Sequence, residues 1–126
     1  VSLKSLWLLG QKICKMLKTS KTPYYAVIFT SERTEVDRGY DEMADEMLEL
    51  VSKQKGFLGA ESVRGEDGLG ITVSYWDSLD SIQNWKENVR HQIAQEKGKT
   101  EWYKRFTTRI CKVERETIFD PDAKFK

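Results

Sequence analysis

The sequence predicts an α+β protein with a ferredoxin-like βαββαβ order, in which a four-stranded antiparallel sheet carries helices on one face. Three observations support this fold class. Four runs of β-branched and aromatic residues are typical of strands, apolar residues at helical spacing follow the first and third runs, and a glycine-rich turn joins the second to the third. Strands and helices in this order are typical of the split βαβ arrangement.

Composition limits the classes of protein to which the chain can belong. It has 126 residues, 33% charged and 39% apolar, which suits a single folded domain. Its 21 Lys and Arg balance 20 Asp and Glu, so no strong positive field exists to attract nucleic acid. The two cysteines lie outside any CxxC or Cys/His spacing, which indicates neither a disulfide scaffold nor a zinc site. We therefore expect a cytoplasmic protein without a nucleic-acid partner.

The first 22 residues differ in character from the rest. Their apolar residues fall on one helical stripe about 120° wide, with lysines on the other side. Three interpretations stay open: a helix packed on the domain, an extension without fixed structure, and an anchor for a membrane or a partner. The apolar run at 6–9 is much shorter than the roughly 20 residues that span a bilayer, so no membrane-spanning segment is expected and an anchor is the least favoured of the three. Pro23 ends any helix before it, which places the domain at 23–119 and a polar tail at 120–126.

The first strand and the first helix follow Pro23. Residues 24–30 are apolar on both strand faces, which predicts a central strand covered on both sides. Residues 31–38 form a polar connection, and Asp37 or Asp41 is the expected N-cap of the helix. That helix begins at about Tyr40 and has Gly56 as its expected C-cap.

The other elements continue the same order along the chain. They are predicted as a strand at 57–64, a hairpin turn at 65–70, a strand at 70–76, a helix at 78–88, further helix at 89–103 interrupted by Gly98, and a long last strand at 106–119. In the third strand Trp76 lies opposite Ile71, Val73 and Tyr75, so both sheet faces carry large apolar groups. Two copies packed sheet to sheet would cover the second face, which predicts a homodimer.

His91 is the only histidine and the first candidate for proton transfer near neutral pH. If the helix ran unbroken from Ile82, His91 would lie about half a turn from the stripe of Ile82, Trp85 and Val89 and would face solvent. A break near Val89 to Arg90 would turn it inward.

Several aromatic residues and one arginine complete the candidates. Trp76, Trp85 and Trp102 either fill a core or an interface or line a ligand pocket. Tyr103 follows Trp102 between the last helix and the final strand, where a pocket between helices and sheet would be lined. Arg109 shares a strand face with apolar residues, which indicates either a salt bridge or an anionic ligand. The sequence contains no nucleotide-binding, metal-binding or serine-hydrolase motif, so no metal site is predicted.

Four short motifs follow one another through the predicted domain. They are Gly56-Phe-Leu-Gly59, Val73-Ser-Tyr-Trp-Asp-Ser78, Ile82-x-x-Trp85, and His91-x-x-Ala94-x-x-x-Gly98-x-x-x-Trp102-Tyr103. In this order they resemble the antibiotic-biosynthesis monooxygenase family of dimeric α+β barrels, over Tyr24 to Phe119. The resemblance implies a homodimer with one pocket per subunit between helices and sheet. Members of that family include cofactor-independent oxygenases of polycyclic phenols, haem-degrading enzymes, and proteins without assigned activity, so the resemblance implies one of these three functions.

The haem-degrading branch of that family uses an Asn on the first strand, a Trp on the second helix and a later His as iron ligand. Trp85 matches the Trp, but no Asn occurs from Tyr24 to Arg33. Gln95 stands where the His of that branch is expected, about one turn after His91. These departures count against haem degradation and leave haem binding as an alternative.

The leading expectation is a monooxygenase that needs no cofactor and oxidises an aromatic or quinone-like small molecule. The expected catalytic residues are His91 and Arg109. The expected substrate contacts are Trp85, Trp102, Tyr103 and Trp76. His91 would act as base or hydrogen-bond partner and Arg109 as anion stabiliser. The alternatives are a haem-binding or haem-degrading monooxygenase and a non-catalytic ligand-binding or stress-related dimer.

Overall fold

The computed structural model describes the backbone of residues 13–15 together with residues 21–122. Its elements are, in chain order, β1 (Ile13–Lys15), β2 (Tyr24–Arg33), α1 (Tyr40–Ser52), β3 (Phe57–Arg64), β4 (Leu69–Trp76), α2 (Leu79–Lys86), α3 (Val89–Lys97), a π-helical turn (Gly98–Trp102) and β5 (Tyr103–Val113). The predicted ferredoxin-like arrangement is confirmed, because β2, β3, β4 and β5 form its antiparallel sheet and helices connect them in the expected order.

Within the described residues the sheet has five strands in the order β1-β3-β4-β2-β5, and every neighbouring pair is antiparallel. The fifth strand, β1, was not predicted. It pairs with the edge of β3, with Ile13 opposite Ser62. These three residues are extended, so the helix considered for the first 22 residues does not include them. The interpretations of residues 1–12 and 16–20 lie outside the described residues.

The strand register defines the two faces of the sheet. Paired residues of antiparallel strands point to the same face, and successive residues alternate. Tyr25 pairs with Trp76, whose ring stacks on Trp85 of α2, so their side of the sheet is called the helix face. Ile28 lies three residues after Tyr25 and therefore points to the opposite side, called the outer face.

The ends of the first and last strands differ from prediction because each depends on the other. β2 continues to Arg33, where the sequence suggested a polar loop, because Arg33 pairs with Tyr103 at the start of β5. At the other end Val113 pairs with Tyr24, the first residue of β2. Residues 114–119 therefore have no residue of β2 to pair with, and the strand predicted at 106–119 ends at Val113.

Both predicted caps of α1 are wrong. Gly39 is the N-cap in a left-handed conformation (φ 75°), with no side-chain cap bond, and the Asp37 carbonyl accepts from Tyr40 N–H at 3.1 Å. The C-cap is Lys53. Gly56 has φ 86° and lies in the following turn, where a Cβ atom would stand 2.1 Å from Ser81 Oγ. Its role is thus close packing against the start of α2.

The described part of the core is mostly aromatic. Its buried apolar residues are Tyr24, Ala26, Tyr40, Trp76, Ile82 and Trp102. On the outer face Tyr24 donates a hydrogen bond to Glu116, while Val63 and Ile71 remain 52% and 44% exposed. The homodimer that would cover this face stays a prediction. Among the described helices, none has the length and apolarity to cross a bilayer.

Candidate functional site

The candidate site lies at the junction between β4 and α2. Ser78 caps the helix, because its hydroxyl accepts from Ser81 N–H at 3.1 Å. Ser81 in turn donates its hydroxyl to Asp77 Oδ1 at 2.8 Å. These short-range bonds turn the chain within two residues, as the sequence predicted, and start α2 so that Ile82 reaches the core and Trp85 lies over the helix face.

A break between α2 and α3 directs His91. α2 ends at Lys86, and Asn88 caps α3 with an extended backbone (ψ 128°) and a side-chain oxygen that accepts from His91 N–H at 3.2 Å. The break lies at 87–88, slightly before the position considered in the sequence. It turns His91 inward, so the side chain is half-buried instead of facing solvent.

Three rings then lie in parallel layers. His91 stacks on Trp85 with ring centroids 4.4 Å apart and 17° between the planes. Trp85 stacks on Trp76 at 6.5 Å and 29°, and Phe57 meets Trp76 edge-on at 5.3 Å. We call Trp76, Trp85 and His91 the aromatic stack. Trp76 is fully buried at its base, so only Trp85 and His91 lie where a ligand can approach.

The protonation state of His91 follows from its contacts. Its Nδ1 lies 3.2 Å from the carbonyl oxygen of Trp85. A carbonyl only accepts, so Nδ1 carries the hydrogen, and in the neutral ring Nε2 is the acceptor. Burial lowers the pKa of His91 below 6.5, and the bond to the Trp85 carbonyl opposes this only in part. At pH 7 the residue is therefore a neutral base with Nε2 able to take a proton.

Trp102 and Tyr103 belong to a second aromatic cluster. Tyr40 meets the rings of Trp102 and Tyr103 edge-on at 5.7 and 6.2 Å, and Phe29 meets Tyr103 at 5.4 Å. The Arg33 guanidinium lies 3.4 Å above the Tyr40 ring. Trp102 donates its indole N–H to the Arg38 carbonyl at 2.9 Å and is 4% exposed. These contacts give Trp102 a packing role.

Tyr103 is held as a neutral phenol. Burial is the main reason that its pKa rises far above 10, with the neighbouring Tyr40 hydroxyl adding to the rise and Arg64 and Arg33 opposing it. The two hydroxyl oxygens stand 3.5 Å apart. Gly98 makes room for this ring, because a Cβ there would lie 2.9 Å from Tyr103 Cδ2.

The structure separates the two aromatic groups. Trp76 is level with Tyr25 on β2, and Tyr103 is level with Arg33, eight residues further along the strand. At about 3.3 Å per residue these levels are roughly 25 Å apart. Among the described residues no ring contact joins the second cluster to the aromatic stack. The sequence placed Trp85, Trp102 and Tyr103 around one pocket, whereas the fold brings only Trp76, Trp85 and His91 together.

Arg109 is also separated from His91. It pairs with Ile28, so it lies exposed on the outer face, on the side of the sheet away from α2 and α3. Alternation along the strand showed which residues share a face with Arg109, but the choice between the two faces needed the register. Within one chain Arg109 cannot stabilise an anion bound beside His91.

Asn88, which sequence reasoning missed, sets the direction of His91. The available signal was its residue type, because Asn is among the preferred helix N-caps and here stands three residues before the only histidine.

Two surface grooves are present elsewhere, and neither is lined by His91 or Trp85. One, of about 360 Å³, lies between Arg33 and Arg64, and the other, of about 600 Å³, runs along α3. No metal-binding group of three or more His, Cys, Asp or Glu occurs among the described residues.

Comparison with known proteins agrees with this architecture. The family model described as antibiotic biosynthesis monooxygenase matches residues 23–97. The chain belongs to the antibiotic biosynthesis monooxygenase family. An uncharacterized protein of Bacillus subtilis, YqjZ, is 53% identical over 106 residues, which are 84% of this chain and 93% of that protein.

Solved structures show the same fold at low sequence identity. SnoaB, a cofactor-independent oxygenase from Streptomyces nogalater, superposes with a TM-score of 0.65 at 9% identity, over 77% of this chain and 98% of its own. A putative antibiotic biosynthesis monooxygenase from Nitrosomonas europaea superposes with a TM-score of 0.60 at 10% identity, over 75% of this chain and 93% of its own. At these identities the likeness concerns the fold, so the activity of the family member described here has to be argued from its own residues.

Proposed function

We propose that the protein is a cofactor-independent monooxygenase that oxidises a planar aromatic or quinone-like small molecule. One observation carries the proposal: His91 is a half-buried, neutral base whose Nδ1 is engaged by the Trp85 carbonyl and whose flat face lies on the Trp85 ring. Family membership and the likeness to an oxygenase fold support the reaction class. A base beside an aromatic surface is what the deprotonation of a phenol requires.

The chemistry that this geometry supports starts with proton transfer. The hydroxyl of a bound hydroquinone or anthrone enol gives its proton to His91 Nε2, which leaves an electron-rich anion. The carbanionic carbon of this anion transfers electrons to O2 and forms a carbon–oxygen bond, giving a hydroperoxide. Loss of water from the hydroperoxide leaves a carbonyl, so a CH2 group and O2 become C=O and H2O. No external reductant is needed, because the substrate supplies the electrons.

The stack also provides the environment for this step. Trp76 is fully buried, and Trp85 is the middle ring between Trp76 and His91, so a planar ligand would meet the edge of Trp85 and the side of the His91 ring that is turned away from it. Burial disfavours the imidazolium form of His91, so the proton it accepts is readily returned to the peroxide oxygen. The low pKa thus keeps the base neutral before each cycle.

Oxygen uptake tests this proposal. Wild-type protein is mixed with a panel of hydroquinones and anthrones in an oxygen electrode. His91→Ala is the test variant, and Gln92→Ala, an exposed position of the same helix, is the matched control. Removal of a general base is expected to lower the rate by about 100-fold or more, and Gln92→Ala should retain it. Oxidation by His91→Ala at the wild-type rate would remove His91 from the mechanism.

Haem is the alternative cofactor, and the residues of the stack fit it poorly. His91 Nε2 is available as an axial ligand, but neither of the two grooves described above is lined by His91 or Trp85. A titration with hemin tests this assessment. A Soret shift in the wild type that is absent in His91→Ala would show that the stack opens to bind haem.

The quaternary structure and location complete the proposal. A homodimer formed through the outer face would cover Val63 and Ile71, two exposed apolar side chains at adjacent strand positions. A cytoplasmic location is proposed with it. Light scattering that gives the mass of one chain, 14.7 kDa, would contradict the dimer.

A further inference from the structure

The helix that carries His91 has little apolar anchoring of its own. Of the described side chains of α3, none is buried, and Ile93 is 40% exposed. A helix usually owes its position to the burial of an apolar stripe. Among the described side chains of α3, the contacts that reach other elements include the stacked ring of His91 and the polar contact of Arg90.

One of these contacts ties α3 to α1. Arg90, the neighbour of His91, donates from Nε to Glu46 Oε2 at 2.8 Å and from Nη2 to Glu46 Oε1 at 2.9 Å. Two parallel bonds of this kind fix the direction of the guanidinium as well as its distance. Both side chains are partly exposed, at 46% and 40%, so the pair can be broken by substitution without opening the core.

We propose that the Glu46–Arg90 pair is a positioning device that holds α3 against α1 and thereby keeps the His91 ring on Trp85. The inference rests on the proposed function for its catalytic consequence, but not for its structural content. When the pair is broken, α3 moves away from α1, His91 gains contact with water, and its Nε2 is no longer held in one place. Neither Glu46 nor Arg90 is a catalytic residue in this scheme.

The electrostatics of Glu46 make the proposal testable by the sign of one measurement. Loss of the Glu46 negative charge can only disfavour the imidazolium, so its direct effect lowers the His91 pKa or leaves it unchanged. Releasing α3 exposes the ring to water and raises the same pKa toward 6.5, because burial is the largest cause of its present shift and no charged side chain is among the causes. A Glu46→Gln variant therefore moves the pKa up if the pair positions His91, and down or not at all if it does not.

The experiment is an NMR titration of the full chain. His91 is the only histidine, so its ring protons give a single titration curve without assignment. The variants are Glu46→Gln, Arg90→Gln, the charge reversal Glu46→Arg with Arg90→Glu, and Glu49→Gln as control. Glu49 lies on the same helix and its carboxylate pairs with Lys53 one turn along α1 at 3.4 Å, so its neutralisation removes an α1 charge without releasing α3. Circular dichroism checks that each variant is folded.

The expected result is a raised His91 pKa in Glu46→Gln and no rise in Glu49→Gln. Arg90→Gln and the charge reversal change the charge beside His91 and so shift its pKa directly, and they are therefore compared by oxygen uptake. An unchanged or lowered pKa in Glu46→Gln overturns the proposal. Oxygen uptake is measured in parallel, and kcat should fall by about twofold to fivefold, the range of a typical exposed ion pair, with recovery in the charge reversal. If the pKa rises but no protein oxidises any substrate, the positioning role stands and the proposed function fails.

Discussion

Asn88→Ala tests whether the break between α2 and α3 orients His91. The Asn88 side chain accepts from His91 N–H at 3.2 Å, and alanine leaves that N–H without its cap. Loss of an N-cap costs about 1 kcal/mol. With an unfolding entropy of about 2 cal/mol/K per residue, this lowers the melting temperature of the 126-residue chain by about 4 °C.

The assay combines thermal unfolding with tryptophan fluorescence. Asn88→Ser keeps an oxygen at the cap and should melt within about 1 °C of the wild type. Asn84→Ala removes an exposed asparagine from α2, outside the break, and is the matched control. In Asn88→Ala the fluorescence of Trp85 should also change, because His91 no longer stays stacked at 4.4 Å. Wild-type melting and emission in this variant would refute the assigned role of the break.

Three other predictions concern His91, Gly56 and Trp102. Because burial lowers the folded-state pKa of His91, the unfolded chain binds its proton first, and stability is lost as the pH falls below about 6.5. Melting curves from pH 7.5 to 5 should therefore show a larger loss in the wild type than in His91→Phe, and equal losses would contradict this. Gly56→Ala should destabilise by about 2 kcal/mol or more in urea unfolding, because φ is 86° and Cβ would meet Ser81 Oγ at 2.1 Å. Gly65→Ala, where φ is not positive and the one close atom to the added Cβ is the side-chain Oδ1 of Asp67 at 2.8 Å, serves as its control, and similar losses in both would speak against strain at Gly56. Trp102→Phe should lower the melting temperature through loss of the bond to the Arg38 carbonyl, about 1 kcal/mol, yet leave kcat within about twofold. A large fall in kcat would mean that Trp102 contacts the substrate after all.

The fold was predictable because its signals are local. Strand periodicity and the glycine-rich turn marked β3 at 57–64, which the structure reproduces as Phe57–Arg64. Errors occurred where an element ends because of a distant partner. β5 stops at Val113 since β2 begins opposite it at Tyr24, and residue types near Val113 contain no sign of that limit.

The candidate site was predictable in part for a related reason. The sequence named Trp85 and His91 from residue type, and the structure places their rings in contact. It could not separate them from Trp102 and Arg109, since residues close in the chain or alike in chemistry can lie at opposite ends or on opposite faces of a sheet. The Glu46–Arg90 pair joins residues 44 positions apart, and their charges alone resembled a solvated helix surface.

Sequence pattern alone was enough for the order of the four ferredoxin-like strands and their helices, for the family resemblance and for naming Trp85 and His91, because periodicity and residue type act over a few positions. The tertiary structure decided which side of the sheet each side chain takes, that His91 turns inward, and that the aromatic residues form two groups. These properties depend on strand register and on the break at 87–88, so they exist only once distant segments are paired.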